Sequence, residues 1–282
     1  MQFSYFFVPL RPNSEDHTLM RLLVSLVISL FMALTMAAQK PLHVVILGDS
    51  NTWIGGDDCD KPQGWNKWFK DSLQPTTCKS YARSGATWTN TPQTQCNTQE
   101  NIGVLGDNNV IYNQICRLQE AVERGVQVKP QLILMMAGTN DAWFLKQRPK
   151  AFSKCGCDAF STGDMTNQPV NEILTLAESV RYGCGLLKAA YPKARIVLLT
   201  PLQSVAAGID NITKAGDIIE CCAKYLGLNV IRMDKEGGID AEKEKVKHQL
   251  TTDGTHTSEK GAQIVGTFVA QQIAALLQPS IQ

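Results

Sequence analysis

Neither sign of charge dominates this chain: 27 Lys and Arg stand against 26 Asp and Glu, a formal net charge of +1 over 282 residues. That near balance excludes the basic surface of an electrostatic nucleic-acid binder and the acidic excess of a disordered chain. Internal repeats, low-complexity tracts and multiple long apolar runs are also lacking, which removes collagen-like, low-complexity and multi-span membrane classes. Histidine is scarce, with four in the whole chain. The remaining composition, 44% hydrophobic and 19% charged with 21 Gly and 12 Pro, is that of a globular protein able to fill a core. At this length one large α/β domain and two small domains are both open.

Residues 1–38 do not read as part of that domain. Met20 and Arg21 precede an apolar run from Leu22 to Met36, followed by the small residues Ala37 and Ala38. A charged start, a short apolar stretch and a small-residue exit describe a secretory signal, with cleavage expected after Ala37. The run is interrupted by Ser25 and Ser29 and falls short of the roughly 20 residues that span a bilayer. No Cys stands at its exit to take a lipid. Residues 1–19 read as an extended leader or as sequence ahead of a true start at Met20. The expected organisation is therefore a leader and signal over 1–38 and one domain over 39–282, exported to a periplasmic or extracellular space without a membrane anchor. Loss of residues 1–37 leaves His43, His248 and His256 as the only imidazoles.

All nine cysteines follow the signal: Cys59, Cys78, Cys96, Cys116, Cys155, Cys157, Cys184, Cys221 and Cys222. In an oxidising compartment such a set includes disulfides, and an odd count leaves at least one free thiol. Cys184, Cys221 and Cys222 fall in helical patterns and read as buried thiols, whereas the loop cysteines are the disulfide candidates. Cys155-Gly-Cys157 lacks a second Cys or His pair at a matching interval, so no metal site is expected there.

Leu42–Leu47, Gln131–Ala137 and Arg195–Thr200 are nearly all apolar, and Thr77–Ala82 and Leu228–Met233 are weaker runs of the same kind. Helical patterns cover Gly64–Leu73, Asn109–Arg124, Val170–Tyr191, Thr213–Leu226 and Ser258–Leu277. Strand and helix thus alternate five times. Continuous rather than alternating apolar strands indicate a parallel sheet covered on both faces by helices. Two long stretches, Asn90–Asn108 and Trp143–Pro169, read as loops, either walls of a site or surface excursions.

In open parallel sheets, ligands bind beyond the carboxyl ends of the strands. Four segments lie there or just before a helix: Gly48-Asp49-Ser50-Asn51, Ser84-Gly85-Ala86-Thr87, Gly138-Thr139-Asn140-Asp141 and Asp253-Gly254-Thr255-His256. Ser50 follows a strand, where its hydroxyl is exposed, but it needs a base to become a nucleophile. His43 opens a buried strand, and His248 sits in the charged, solvated run E-K-E-K-V-K-H. His256 occupies a polar turn with Asp253 three residues away, a spacing that lets the carboxylate hold Nδ1 while Nε2 faces a serine. The Ser50 and Gly85 amides and the Asn140 side chain are candidate oxyanion donors.

Taken together, these blocks resemble the SGNH hydrolase superfamily, the GDSL-like esterases and lipases, over roughly residues 43–277. The resemblance implies Ser50 as nucleophile, Asp253 and His256 as its triad partners, and Ser50, Gly85 and Asn140 as the oxyanion hole. It also implies a flavodoxin-like three-layer α/β/α sandwich, here with a five-stranded parallel sheet, and no metal or organic cofactor. One departure is visible: the family often carries an Asn a few residues before the block-two glycine, where this chain reads Lys79-Ser80-Tyr81-Ala82-Arg83-Ser84-Gly85. Arg83 is read as one half of a surface salt bridge or as a contact for an anionic substrate group.

The expected activity is two-step acyl transfer on a small-molecule or polysaccharide ester. Trp53, Trp88 and Trp143 each follow a block by three residues, as walls for a sugar ring or as packing. An acetyl or other short acyl group on carbohydrate suits them and the polar stretch Trp143–Pro169 better than a lipid or thioester does. A non-catalytic exported glycan-binding module is the alternative from another class. A flavin-binding reading fails because Gly48–Gly55 lacks a Ser/Thr-rich phosphate cradle.

Overall fold

In a computed structural model the described residues are 20–21, 24–25, 41–99, 109–161, 163, 165 and 167–278. The expected leader and signal lie outside the described residues apart from Met20, Arg21, Val24 and Ser25, as does the 100–108 part of the first long loop. The chain divides into a unit Met1–Pro41 and a unit Leu42–Gln282, and the α/β architecture belongs to the second. No helix of the described residues is long and apolar enough to cross a membrane.

Five strands, β1 (His43–Gly48), β2 (Thr77–Ser80), β3 (Leu132–Met136), β4 (Arg195–Leu199) and β5 (Asn229–Ile231), form one sheet in the order β2-β1-β3-β4-β5. Every pairing is parallel. The flavodoxin-like α/β/α sandwich with a five-stranded parallel sheet is thus the observed architecture. Val45, Leu47, Ile133, Met135, Ile196 and Leu198 point to one face, under α3 (Ile111–Glu123), α6 (Leu176–Ala190) and α7 (Ile209–Leu226). Val44, Ile46, Leu132, Leu134, Val197 and Leu199 point to the other, under α2 (Trp65–Leu73) and α10 (Glu259–Leu277). Because successive side chains of a strand alternate between faces, helices on both sides demand apolar residues at every position. Each such side chain contributes about 1.5–3 kcal/mol on burial.

The outer helices carry their own start signals. α10 begins where Ser258 accepts from the Gly261 amide, and its buried residues Ala262, Val265, Val269 and Ile273 recur at helical spacing. Gly266 lets it approach α2 closely, since a Cβ there would run into the Trp65 carbonyl. α6 starts at Leu176 rather than Val170: Thr175 is its N-cap, accepting from the Glu178 amide and donating its hydroxyl to the Glu178 carboxylate. Val170–Glu172 instead makes a single 3₁₀ turn. α7 starts at Ile209, four residues earlier than the sequence pattern places it. Short helices α1 (Ser50–Trp53), α4 (Thr139–Trp143), α5 (Gly156–Ser161), α8 (Met233–Glu236) and α9 (Ala241–Val246) complete the domain. α5 interrupts the stretch expected as a loop after Trp143.

The cysteines partly follow expectation. Cys184 and Cys222 are buried, while Cys221 is half-buried. Cys155 and Cys157 form a disulfide, so neither offers a thiolate to a metal. The Cys78 thiol, on β2, donates to Cys59 at 3.5 Å, and both are buried.

Candidate active site

Three neighbouring strands, β2, β1 and β3, end at the edge where the candidate residues collect. At the end of β1, Gln114 of α3 clamps Gly48, accepting from its amide at 2.9 Å and donating to its carbonyl at 2.8 Å. Asp49 then caps α1, its Oδ1 accepting from the Asn51 amide at 3.1 Å. Ser50 is therefore the first residue of a helix that turns sharply off a buried strand.

The base arrives on the turn before α10. Thr255 and His256 donate their amides to Asp253 Oδ1 at 2.9 and 2.8 Å, which folds the D-G-T-H segment around its own carboxylate. Gly254 sits at φ +81°, a left-handed conformation that L side chains rarely adopt, and a Cβ there would strike Val205. Asp253 Oδ2 lies 2.7 Å from His256 Nδ1, and His256 Nε2 lies 2.9 Å from Ser50 Oγ. Three residues 206 positions apart at their extremes thus form one continuous hydrogen-bonded line. Thr257 ties the same turn to the first block, its amide donating to Asn51 Oδ1 at 3.3 Å.

The electrostatics suit proton transfer along that line. Partial burial pushes the Asp253 carboxyl up, but the His256 amide and ring and the Thr255 amide outweigh it and hold the group below the ordinary carboxylate range. Asp253 is accordingly an anion beside Nδ1, able to fix the imidazole tautomer with Nε2 free to accept the Ser50 proton. Asp49 differs: complete burial pushes its carboxyl up to about 6. Asp141 is buried as well, and desolvation raises it although the Thr89 and Trp88 amides bind it at 2.9 Å each.

Those amide bonds weld the block after β3 to the block after β2. Asn140 adds a third link, donating Nδ2 to the Ala86 carbonyl at 2.9 Å, beside Gly85. A carboxamide nitrogen carries two N–H groups, so a second donor remains on the same atom. Gly85 itself stands at φ +73°.

A cavity of about 810 Å³ opens beside the Ser50–His256 pair. Trp53, Ile54, Asp57, Asp58, Asp60, Lys61 and Gln63 line it, together with Ser84, Thr252 and Thr257. Of the three indoles expected around it, only Trp53 lines it. Trp88 is 2% exposed, packs in the sheet core and donates Nε1 to the Ala137 carbonyl at 3.3 Å, so it is a core residue and no substrate wall. Trp143 is 41% exposed at the end of α4 but does not line this cavity. Arg83 is buried, with its guanidinium on Asp57 at 2.8 Å and on the Ala82 carbonyl at 2.7 Å. The salt-bridge reading thus holds, with the Arg83 side chain enclosed and the Asp57 carboxylate exposed at the cavity wall, and the pair helps hold that wall to the strand edge.

Sequence reasoning passed over Gln114 and Glu244, and it placed Asp141 in the block after β3 without giving it a role. Glu244 lies in the run read as solvated, yet only 3% of it is exposed. His248 of the same run is exposed, as expected.

Residues 46–264 match the model of the GDSL-like lipase/acylhydrolase family. No curated protein matches the chain. Among solved structures, a possible lipase from Chitinophaga pinensis is similar at a TM-score of 0.51 and 16% identity, covering 83% of this chain and 98% of its own. A protein from Lactobacillus plantarum is similar at 0.53 and 12% identity, covering 85% and 98%. At such identities the likeness concerns the fold.

Proposed function

The chain belongs to the GDSL-like lipase/acylhydrolase family, a family of ester hydrolases, and on that premise we propose that it is an exported serine esterase removing short acyl groups from carbohydrate. The observation that carries the reading is the line from Ser50 Oγ to His256 Nε2 at 2.9 Å and from His256 Nδ1 to Asp253 Oδ2 at 2.7 Å.

In the first step His256 Nε2 takes the Ser50 proton as Oγ attacks the ester carbonyl carbon. The negative charge that develops on the carbonyl oxygen is received by the Ser50 and Gly85 amides and the Asn140 side chain. As the tetrahedral species collapses, His256 returns the proton to the departing alcohol. Water then attacks the acyl-serine with the same base, releasing the acid and regenerating the hydroxyl. Asp253 stays ionised throughout and stabilises the imidazolium.

The wall of the cavity supports the substrate class. Trp53 offers a face for a sugar ring, and Asp58, Asp60, Lys61 and Gln63 offer partners for hydroxyls. The lining is mixed, with Trp53 and Ile54 supplying apolar surface beside these polar groups. Export rests on the charged start, apolar run and small-residue exit of residues 20–38.

Hydrolysis of p-nitrophenyl acetate and of acetylated oligosaccharides tests the reading. Ser50→Ala is expected to abolish turnover, and Asp253→Asn to lower kcat by about 10⁴-fold while the fold is kept. Full activity in a folded Ser50→Ala protein would refute the assignment.

A further inference from the structure

The triad base and acid share one short turn, and that turn is held from beneath by a residue the chemistry does not use. Glu244 stands on α9, one turn of helix capped by Asp240, whose carboxylate accepts from the Glu242 and Lys243 amides. Its side chain points inward from an otherwise charged surface stretch. There Oε2 accepts from the Gln249 amide at 3.1 Å, the Thr251 amide at 2.9 Å and the Thr251 hydroxyl at 2.5 Å. Oε1 accepts from the Leu250 amide at 3.1 Å. No lysine or arginine pairs with it among the described residues. The carboxylate thus gathers three consecutive backbone donors and one hydroxyl, as an anion held in a backbone loop.

The grip passes on to the catalytic turn. While its O–H donates to Glu244, the Thr251 oxygen accepts from the Gly254 amide at 3.1 Å. Gly254 lies between Asp253 and His256. Thr251 also forms an isolated antiparallel bridge with Thr257, and the Thr252 amide donates to the His256 carbonyl at 2.8 Å. Glu244, Thr251 and Gly254 therefore form a relay that ends within the D-G-T-H loop. Burial pushes the Glu244 carboxyl up, yet the Thr251 hydroxyl and the three amides outweigh it and keep the group below the ordinary carboxylate range.

We infer that Glu244 is a positioning residue for acyl transfer, fixing through Thr251 the turn that places Asp253 and His256 against Ser50. The inference rests on the triad reading above. A glutamine at this position puts an NH₂ group where an oxygen now receives N–H donors, and the turn loses at least one of its anchors. The bond from His256 to Ser50 spans 2.9 Å, and a misplacement of about 1 Å at such a site lowers turnover by up to about a hundredfold. Trp53 and the Asp57–Lys61 part of the cavity lining lie outside the relay, so the effect should fall on kcat far more than on KM.

The test measures kcat and KM on p-nitrophenyl acetate for the full chain and for Glu244→Gln, Thr251→Val, Thr251→Ser and the Glu244→Gln/Thr251→Val pair. The expected result is a fall in kcat, up to about a hundredfold, in Glu244→Gln and Thr251→Val with KM preserved. Thr251→Ser, which keeps the hydroxyl, should retain activity, and the double variant should be no slower than the slower single one, because both changes break one relay. Proton NMR supplies a second readout: the low-field resonance of the His256 Nδ1 proton shared with Asp253 should shift or disappear in Glu244→Gln. An unchanged kcat in folded Glu244→Gln, a rise confined to KM, or fully additive losses in the pair would each overturn the role. If Glu244→Gln does not fold, the Thr251→Val and Thr251→Ser comparison decides by the same criteria. A Ser50→Ala protein that stays active would instead refute the triad itself, whatever Glu244 does.

Discussion

Replacing Asp49 by Asn should stabilise the protein, and only above mildly acidic pH. Asp49 is fully buried at the end of β1, and burial pushes its carboxyl from the ordinary 3.8 to about 6. A native-state value above the unfolded one means that the folded protein holds this proton longer than the unfolded chain does. Between pH 3.8 and 6 the native state therefore binds more protons, and stability falls as pH rises. The gap corresponds to about 3 kcal/mol, present in full above pH 6 and absent below the unfolded value. Asparagine caps a helix about as well as aspartate, so its Oδ1 keeps the bond to the Asn51 amide and the exchange isolates the charge. Urea unfolding of both proteins at intervals from pH 4 to pH 8 measures the difference. It should be near zero at pH 4, grow through pH 6 and level off at up to about 3 kcal/mol in favour of Asp49→Asn. An equal difference at every pH would show that ionisation of Asp49 is not what burial opposes.

Two further outcomes separate wall from core and thiol from disulfide. Trp53→Ala should raise KM for acetylated sugars with little change in melting temperature, whereas Trp88→Ala should cost about 3–5 kcal/mol of stability; the reverse pattern in calorimetry and kinetics would exchange their roles. Refolding in a glutathione redox buffer should join Cys59 to Cys78, with transfer of the two thiol hydrogens to oxidised glutathione, and non-reducing peptide mapping should recover the linked pair. Both cysteines remaining alkylatable after denaturation would count against that pairing.

The parts of the fold that could be read from sequence are those where one residue type has one use. Uninterrupted apolar runs such as Leu132–Met136 occur in strands buried on both faces, and they set the sheet. The order of the four blocks and the three-residue step from Asp253 to His256 placed the triad members at one edge. Boundaries were less legible where apolar periodicity continued past a cap: Val170 and Ile173 extend the helical pattern of α6, but Thr175 with Glu178 starts the helix later, and that T-x-x-E signal was present in the chain. Burial of a charge is hardest to foresee. Glu244 sits among lysines and reads as solvated, because three of its partners are backbone amides, which carry no sequence signature, and the fourth is a lone threonine hydroxyl. Trp88 and Trp143 keep the same spacing from their blocks as Trp53, yet the three point to a core, a surface and a cavity, since the turns that follow β2, β3 and β1 differ.

Much of the cavity wall comes from residues 54–63, a single excursion between α1 and α2, while the hydrogen bonds joining Ser50, His256 and Asp253 bypass it. Such a separation makes the side chains of the excursion exchangeable: those facing the cavity can be rewritten to admit a different alcohol or acid, provided the Gln63 carbonyl keeps its bond from Thr257, the neighbour of His256, at 2.7 Å. Diversification of substrate choice in this scaffold then demands changes in one short segment rather than a new enzyme.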